Sequence, residues 1–379
     1  MQYNSHSNHP PKKPTNKALS FNLIEAFAGS GGLSLGLVQS GFNLLYAFDN
    51  DEMAVATHNQ NLGVHAEVQD VRAVKGKNLL LKAGLLPGSL DLFAGGPPCQ
   101  GFSKQKRGAH LGDDRNSLVL EYARVVKELK PKFFLFENVA IFGQKRGKEF
   151  LIEISKMLSE YQLHSHIMNS ACFGLAQTRK RFIIVGKHQD IFAEFQFPVG
   201  DISMSVTVGD ALEGLPEPPN DYSVHPDFAN HQNARVSAKN IERFSYVPQG
   251  GGWRDIPFDL RLACHQKVDA TKGGWPDVYG RLEWEGKCPT ITGGFDSFTR
   301  GRYGHPLQDR PLTPREAARL QGFPDSFAFL GNRSEVRRQI GNAVPPPLAK
   351  ALGHEIQKTL LIEEGIIKDE RQKLLLLEK

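Results

Sequence analysis

Apolar and polar positions follow one rhythm up to about residue 187 and another beyond it. Between 21 and 187, short apolar runs alternate with amphipathic stretches. The runs at 21–27, 44–48, 66–68, 90–95 and 133–136 are too short for helices and too apolar for a surface, so they read as buried strands. Helices are predicted at 33–38, ending near Gly41, at 52–61, at about 147–160, and at 117–130. In the last, Leu118, Tyr122, Val125, Val126 and Leu129 share one face and Pro131 ends the run. Strand-like runs at 164–173 and 181–186 follow. This alternation predicts an α/β fold with a doubly wound, mostly parallel sheet, whose chemistry belongs at the carboxyl ends of its strands.

Past 187 the βα rhythm stops. The chain becomes rich in Gly and Pro, with basic-aromatic clusters around Trp253-Arg254, Trp275 and Arg300-Gly301-Arg302-Tyr303. A second, smaller, loop-rich domain with short strands is expected over 188–330. Its arginines beside aromatics suit nucleic acid and also ordinary surface packing. Thr313-Pro314-Arg315-Glu316 announces a helix with a capping box, and a proline-started helix is expected over 346–361. Residues 1–20 read as a disordered leader and 362–379 as a charged helical tail.

Composition narrows the partners. The 379 residues are 40% hydrophobic and 23% charged, with a net charge of +5, which permits nucleic acid without demanding it. Cys99, Cys172, Cys264 and Cys288 are far apart, so neither a disulfide framework nor a zinc site is expected, and no metal. No apolar run approaches the roughly 20 residues of a membrane span, and the first twenty residues are too polar for a signal peptide. An intracellular protein with reduced thiols is expected.

Three places carry candidate chemistry. Gly95-Gly96-Pro97-Pro98-Cys99-Gln100-Gly101 follows an apolar strand, and its prolines stiffen the turn before a sulfur that a core cysteine would not need so presented. Glu137 closes the 133–136 strand, so it shares an edge with Cys99. A thiol beside a carboxylic acid suits addition of sulfur to an electron-poor ring, with the acid drawing charge from a ring nitrogen. Phe27-Ala28-Gly29-Ser30-Gly31-Gly32 joins a strand to a helix about 20 residues before Asp49, a pattern that suits a nucleoside. Ser34 stands where a dinucleotide-binding turn has its third glycine, which disfavours a pyrophosphate. Arg179 and Arg181, two apart in an extended run, could hold a carbonyl oxygen or phosphate, lower the thiol pKa, or line a solvated face.

In this order, joined by Gln177-Thr178-Arg179-Lys180-Arg181, Arg310 to Glu316 and Gly341-Asn342-Ala343-Val344, the motifs resemble the DNA cytosine-5 methyltransferase family from about 21 to 353. The lack of long extensions is similar to prokaryotic restriction-modification enzymes. The resemblance implies the class I S-adenosylmethionine-dependent methyltransferase fold at 21–187, a target-recognition domain at 188–330, and a return to the catalytic domain at 331–361. It implies that Cys99 adds to carbon 6 of a flipped cytosine, Glu137 serves ring nitrogen 3, and Arg181 the ring carbonyl, supported by Arg179 and Gln177. S-adenosyl-L-methionine is the implied cofactor, lined by Phe27, Ala28, Gly29 and Gly31, with Asp49 on the ribose, Asp70 and Val71 on the adenine, and Pro98, Leu118, Asn342 and Val344 completing the pocket. Asn50 stands where relatives often carry a large side chain beside the adenine. Duplex DNA is the implied partner, through Gln100, Ser103, Lys104, Lys106 and Arg107 of the loop after the cysteine and through Arg254, Arg300 and Arg302. A monomer in a prokaryotic cytoplasm, at the nucleoid, with a cognate restriction endonuclease acting on the same site, completes the expectation. Cytosine methylation in RNA, or a catalytically silent DNA-binding relative, are the alternatives.

Overall fold

The computed structural model describes residues 20–98, 117–144, 147–201, 206–268 and 275–369. The leader, Ser20 excepted, and the end of the tail lie outside these residues.

The first region runs β1 (Asn22–Ala26), α1 (Gly32–Gln39), β2 (Asn43–Asp49), α2 (Glu52–Leu62), β3 (Ala66–Val68), α3 (Gly76–Lys82), β4 (Leu92–Gly95), α4 (Ser117–Leu129), β5 (Phe133–Val139), α5 (Lys148–Met157), β6 (Tyr161–Asn169) and β7 (Lys180–His188). The strands form one seven-stranded sheet in the order β3-β2-β1-β4-β5-β7-β6. Neighbours from β3 to β5 are parallel, whereas β7 runs antiparallel to both β5 and β6. An apolar run carries no direction, so this reversal was not readable in advance. It matters for chemistry, because the start of β7 arrives at the edge where β4 and β5 end.

Successive strand residues face opposite layers. Ile24, Phe93 and Phe134 join a core with Tyr122, Val125 and Val126 of α4, while their neighbours Leu23, Leu92 and Leu135 join the other core. That second core is closed by the last helix, α11 (named below), through Leu348, Leu352 and Ile356. Burying three such side chains supplies about 1.5–3 kcal/mol each.

From 189 to 312 the described residues form only short pieces, among them α6 (Val208–Leu212), α7 (Ala238–Ser245), α8 (Ala263–Gln266), and the pair β8 (Gly280–Arg281) and β9 (Arg302–Gly304). A small aromatic core of Phe244, Trp253, Tyr279 and Phe298 organises part of this region. A larger core gathers Ala176, Val208, Leu282, Ile291, Tyr303, Leu320, Phe323, Val336 and Ile340. Into it pack α9 (Pro314–Leu320), which has the expected Thr313–Glu316 capping box, and α10 (Arg333–Asn342), capped by Asn332. The chain then returns through α11 (Pro346–Glu363), which packs along α1. This helix ends at Glu363, with Gly365 at φ 68°, so 364–369 do not extend it.

Candidate active site

The glycine-rich turn leaves β1 with Phe27 at φ 54° and enters α1 with Gly31 at φ 94°, a left-handed conformation that few side chains tolerate. A Cβ at Gly31 would also lie 3.0 Å from the His58 ring, so the turn rests directly on that imidazole. Asp49, last residue of β2, closes the turn. Its Oδ2 accepts from Gly29 N at 2.8 Å and its Oδ1 from Asp51 N at 2.9 Å. Burial raises the Asp49 pKa, and the backbone N–H donors oppose that rise. Each carboxylate oxygen accepts more than one hydrogen bond, so both remain able to meet a diol.

Around the turn, Phe27 and Leu118 are half-buried against the core that also holds the Val71 side chain. Ala28 N donates to Phe48 O, fixing the turn to β2. Val344 is buried, with its carbonyl against Gly32, whereas Asn50 and Asn342 are exposed. Asp70 is already engaged: it accepts from the Arg72 backbone N–H and pairs with the Arg72 guanidinium at 2.6 Å, which lowers its pKa. The Val71 carbonyl accepts from Arg124.

At the neighbouring strand ends the sheet brings a carboxylate and a cation together. Glu137 Oε1 lies 2.8 Å from Arg181 Nε, and both side chains are only 11% exposed. The antiparallel register puts Arg181 opposite Val139, one diagonal from Glu137. On the other side, a Cβ at Gly96 would lie 3.0 Å from Glu137 Oε2, so glycine there lets the carboxylate approach the turn that leads to the cysteine. Asn138 donates to the Pro97 carbonyl at 3.0 Å and fixes that turn, with Pro98 half-buried after it. Cys99, Gln100, Ser103, Lys104, Lys106 and Arg107 lie outside the described residues.

Gln177 and Arg179 are both fully buried. Gln177 donates to Leu320 O and Gln321 Oε1 and accepts from Ile291 N. Arg179 donates to Ile291 O at 2.8 Å and to Gly341 O and Ala343 O at 3.0 Å, so it caps the carboxyl end of α10, where a cation is favoured. Burial, with Arg181 nearby, pushes the Arg179 pKa down.

The arginines expected to meet DNA divide. Arg254 and Arg300 are exposed, with Arg254 lying over the Trp253 ring. Arg302 is taken up internally, donating to Gly250 O, Gly251 O and Arg281 O and pairing with Asp277. Arg302 thus spends part of its donor capacity inside the fold, on three carbonyls that its position beside aromatics did not reveal. The sequence reading also missed Asn138, Gln321, and a buried Glu25–Ser34–His58 cluster under the glycine turn. No helix among the described residues is long and apolar enough to cross a membrane.

Comparison with known proteins gives this geometry its context. The model of the C-5 cytosine-specific DNA methylase family matches residues 21–358. The type II methyltransferase M.PspPI of Psychrobacter sp. is 35% identical over 346 residues, covering 90% of this chain and 80% of that protein. M.XorII of Xanthomonas oryzae pv. oryzae is 35% identical over 373 residues, covering 89% and 84%. Among solved structures, a DNA modification methyltransferase encoded within an E. coli prophage superposes with a TM-score of 0.68 at 27% identity, covering 90% of this chain and 99% of that one. The fold is that of class I methyltransferases, and the chain belongs to the C-5 cytosine-specific DNA methylase family, as a DNA (cytosine-5)-methyltransferase.

Proposed function

We propose that the protein transfers a methyl group from S-adenosyl-L-methionine to carbon 5 of a cytosine flipped out of a short duplex DNA sequence, through a covalent adduct with Cys99. The observation that carries this reading is the Glu137–Arg181 pair, 2.8 Å apart and nearly buried, beside the Gly96-Pro97-Pro98 turn. In a site from which water is largely excluded, such a pair acts strongly on charge developing in a bound ring.

Cys99 sulfur forms a bond to carbon 6 while electrons move toward ring nitrogen 3. Glu137, held by Arg181, delivers a proton to that nitrogen and so neutralises the developing charge, taking the proton back when the sulfur leaves, and Arg181 also reaches the ring carbonyl. Carbon 5 becomes nucleophilic and accepts the methyl group; loss of its proton to a base and of the sulfur then restores the ring. Flipping is required because a stacked base presents neither face to a thiol.

The residues at the glycine turn fit the cofactor. Gly29 has open space where a side chain would project, and Asp49 sits within reach of a ribose while keeping acceptor capacity. The cofactor, when bound, supplies an electrophilic methyl group. Phe27, Leu118, Pro98 and Val344 exclude water around it, Gly31 keeps the turn open, and Asp49 orients the ribose. Asp70 and Val71 serve the adenine only through atoms that Arg72 and Arg124 leave available, with Asn50 and Asn342 at the rim.

Residues 188–330 read the target sequence, with Arg254 and Arg300 contacting DNA, and Gln100, Ser103, Lys104, Lys106 and Arg107 gripping the strand behind the flipped base. The protein works as a cytoplasmic monomer in a restriction-modification pair or as a solitary methylase. Bisulfite sequencing of host DNA after expression tests this. Modified cytosines in one short context are expected, and unmodified DNA from cells containing folded protein would contradict it.

A further inference from the structure

Three polar side chains under the glycine turn take no part in the chemistry above. Glu25 of β1, Ser34 of α1 and His58 of α2 are all fully buried. Ser34 Oγ lies 2.5 Å from Glu25 Oε2 and 2.9 Å from His58 Nε2, making one hydrogen-bonded chain across three elements. Among the described residues, Glu25 Oε1 and His58 Nδ1 have no hydrogen-bond partner, nor has Ser30 Oγ in the turn itself. Unpaired buried polar atoms are costly, so their gathering at one turn calls for a reason.

The location supplies it. Glu25 lies two residues before the turn, Ser34 in the first turn of the helix after it, and the His58 ring forms the floor under Gly31. The chain therefore fixes the turn from three sides. Its charge state follows from its neighbours. Asp49 on β2 and Tyr122 on α4 face Glu25, and His65 faces His58. Among the described residues no cation balances the carboxyl. Burial pushes Glu25 up to about 8, helped by Asp49 and opposed by the Ser34 hydrogen bond. Burial, with His65, pushes His58 down to about 4. At neutral pH all three groups are uncharged, and such a chain carries its protons in either direction with the same geometry.

We propose that Ser34, hydrogen-bonded to both Glu25 and His58, is a positioning residue that holds the methyl-donor turn in its binding shape. This rests on the reading that the turn binds S-adenosylmethionine. When Glu25 loses its proton, a carboxylate appears in a dry site facing Asp49, whose own carboxylate closes the turn, and the repulsion between the two strains the turn. Cofactor affinity is thus steady at lower pH and falls as the pH rises through the Glu25 pKa. Glu25→Gln keeps the shape and the neutrality and removes the titration.

The test is calorimetric titration of the full chain with S-adenosylhomocysteine, which lacks only the transferred methyl group, from about pH 6.5 to about pH 9.5. Thermal unfolding is followed in parallel. The wild type should bind about tenfold more weakly at the alkaline end, and Ser34→Ala about tenfold more weakly at neutral pH, with Ser34→Thr restoring binding. Glu25→Gln should bind as the wild type does at neutral pH and show no alkaline loss, and it decides the matter should Ser34→Ala unfold. Wild-type affinity in Ser34→Ala, or an unchanged alkaline slope in Glu25→Gln, overturns the proposal while leaving the cofactor reading intact. No binding by folded wild type at any pH overturns the cofactor reading itself, and this inference with it.

Discussion

Two buried glutamates, one in each region, hold opposite charge states. Glu25 lies in the sheet with a hydroxyl and an imidazole for company, and burial pushes it up to about 8. Glu316 on α9 is as deeply buried, and burial alone would raise it too, yet it is pulled down to about 2. The difference is Arg310, which grips both Glu316 oxygens at 2.9 and 2.6 Å. The same contrast runs through the backbone. In the sheet, strands satisfy one another's amides and carbonyls, which leaves side chains at strand ends available for chemistry. Past β7 the described residues form almost no ladder, and arginines take its place. Arg281 donates to Phe244 O, Val247 O, His305 O and Gln308 O, and Arg315 to Ala229 O, Pro324 O and Phe327 O. A basic residue there is as much a mortar for carbonyls as a handle for DNA.

The comparison breaks or sharpens at specific residues. The largest effect belongs at the sheet edge: Glu137→Gln should lower kcat by about 10²–10⁴-fold with cofactor binding little changed, since it removes the acid and keeps the shape. Equal loss of kcat and of cofactor affinity would mean that the edge and the turn are not separate sites. In the second region, Arg310→Met strands Glu316 without its cation and should cost about 3–5 kcal/mol in urea unfolding. Arg302→Ala should cost about 1–3 kcal/mol, because carbonyls of Gly250 and Gly251 lose their donor. By contrast, Arg254→Ala should lower the salt dependence of DNA binding by about one phosphate contact. If Arg302→Ala left stability unchanged and weakened DNA binding more than Arg254→Ala, the division into mortar and handle would be reversed.

The two glutamates also predict how pH acts. Glu316 has a folded value below its ordinary 4.5, so its contribution to stability is present above that value and is lost as the pH falls toward about 2. Glu25 is the mirror case. Its folded value lies above 4.5, so its contribution is complete below 4.5 and is lost as the pH rises through about 8. Urea midpoints at a series of pH values should show Arg310→Met flattening the acid limb and Glu25→Gln the alkaline one.

Much of the α/β region was legible because its strands are buried on both faces and read as unbroken apolar runs. The turn at Gly29 to Gly32, Asp49 at the end of β2 and Glu137 near the end of β5 were all found from that frame. Among the helices that were not expected, α3 and α10 show a physical reason. In α3 the apolar positions are a short Leu79–Leu81 run, and in α10 only Val336 and Ile340 mark a buried stripe among charged residues. The Glu25–Ser34–His58 chain was invisible because its members are far apart in sequence and follow no period; only the crossing of three elements joins them. Arg254 and Arg302 look alike in sequence, each next to an aromatic residue, and differ only in which carbonyls lie within reach.

Covalent capture tests the central claim most directly. A library of duplexes carrying 5-fluorocytosine in randomised flanking sequence is incubated with protein and S-adenosylmethionine, and denaturing mass spectrometry reads the product. The fluorine cannot leave as a proton does, so the wild type should remain bonded to DNA of one short context, with the bond at Cys99, and Cys99→Ala should form none. An adduct that persists in Cys99→Ala, or active wild-type protein that never forms one, would contradict the account.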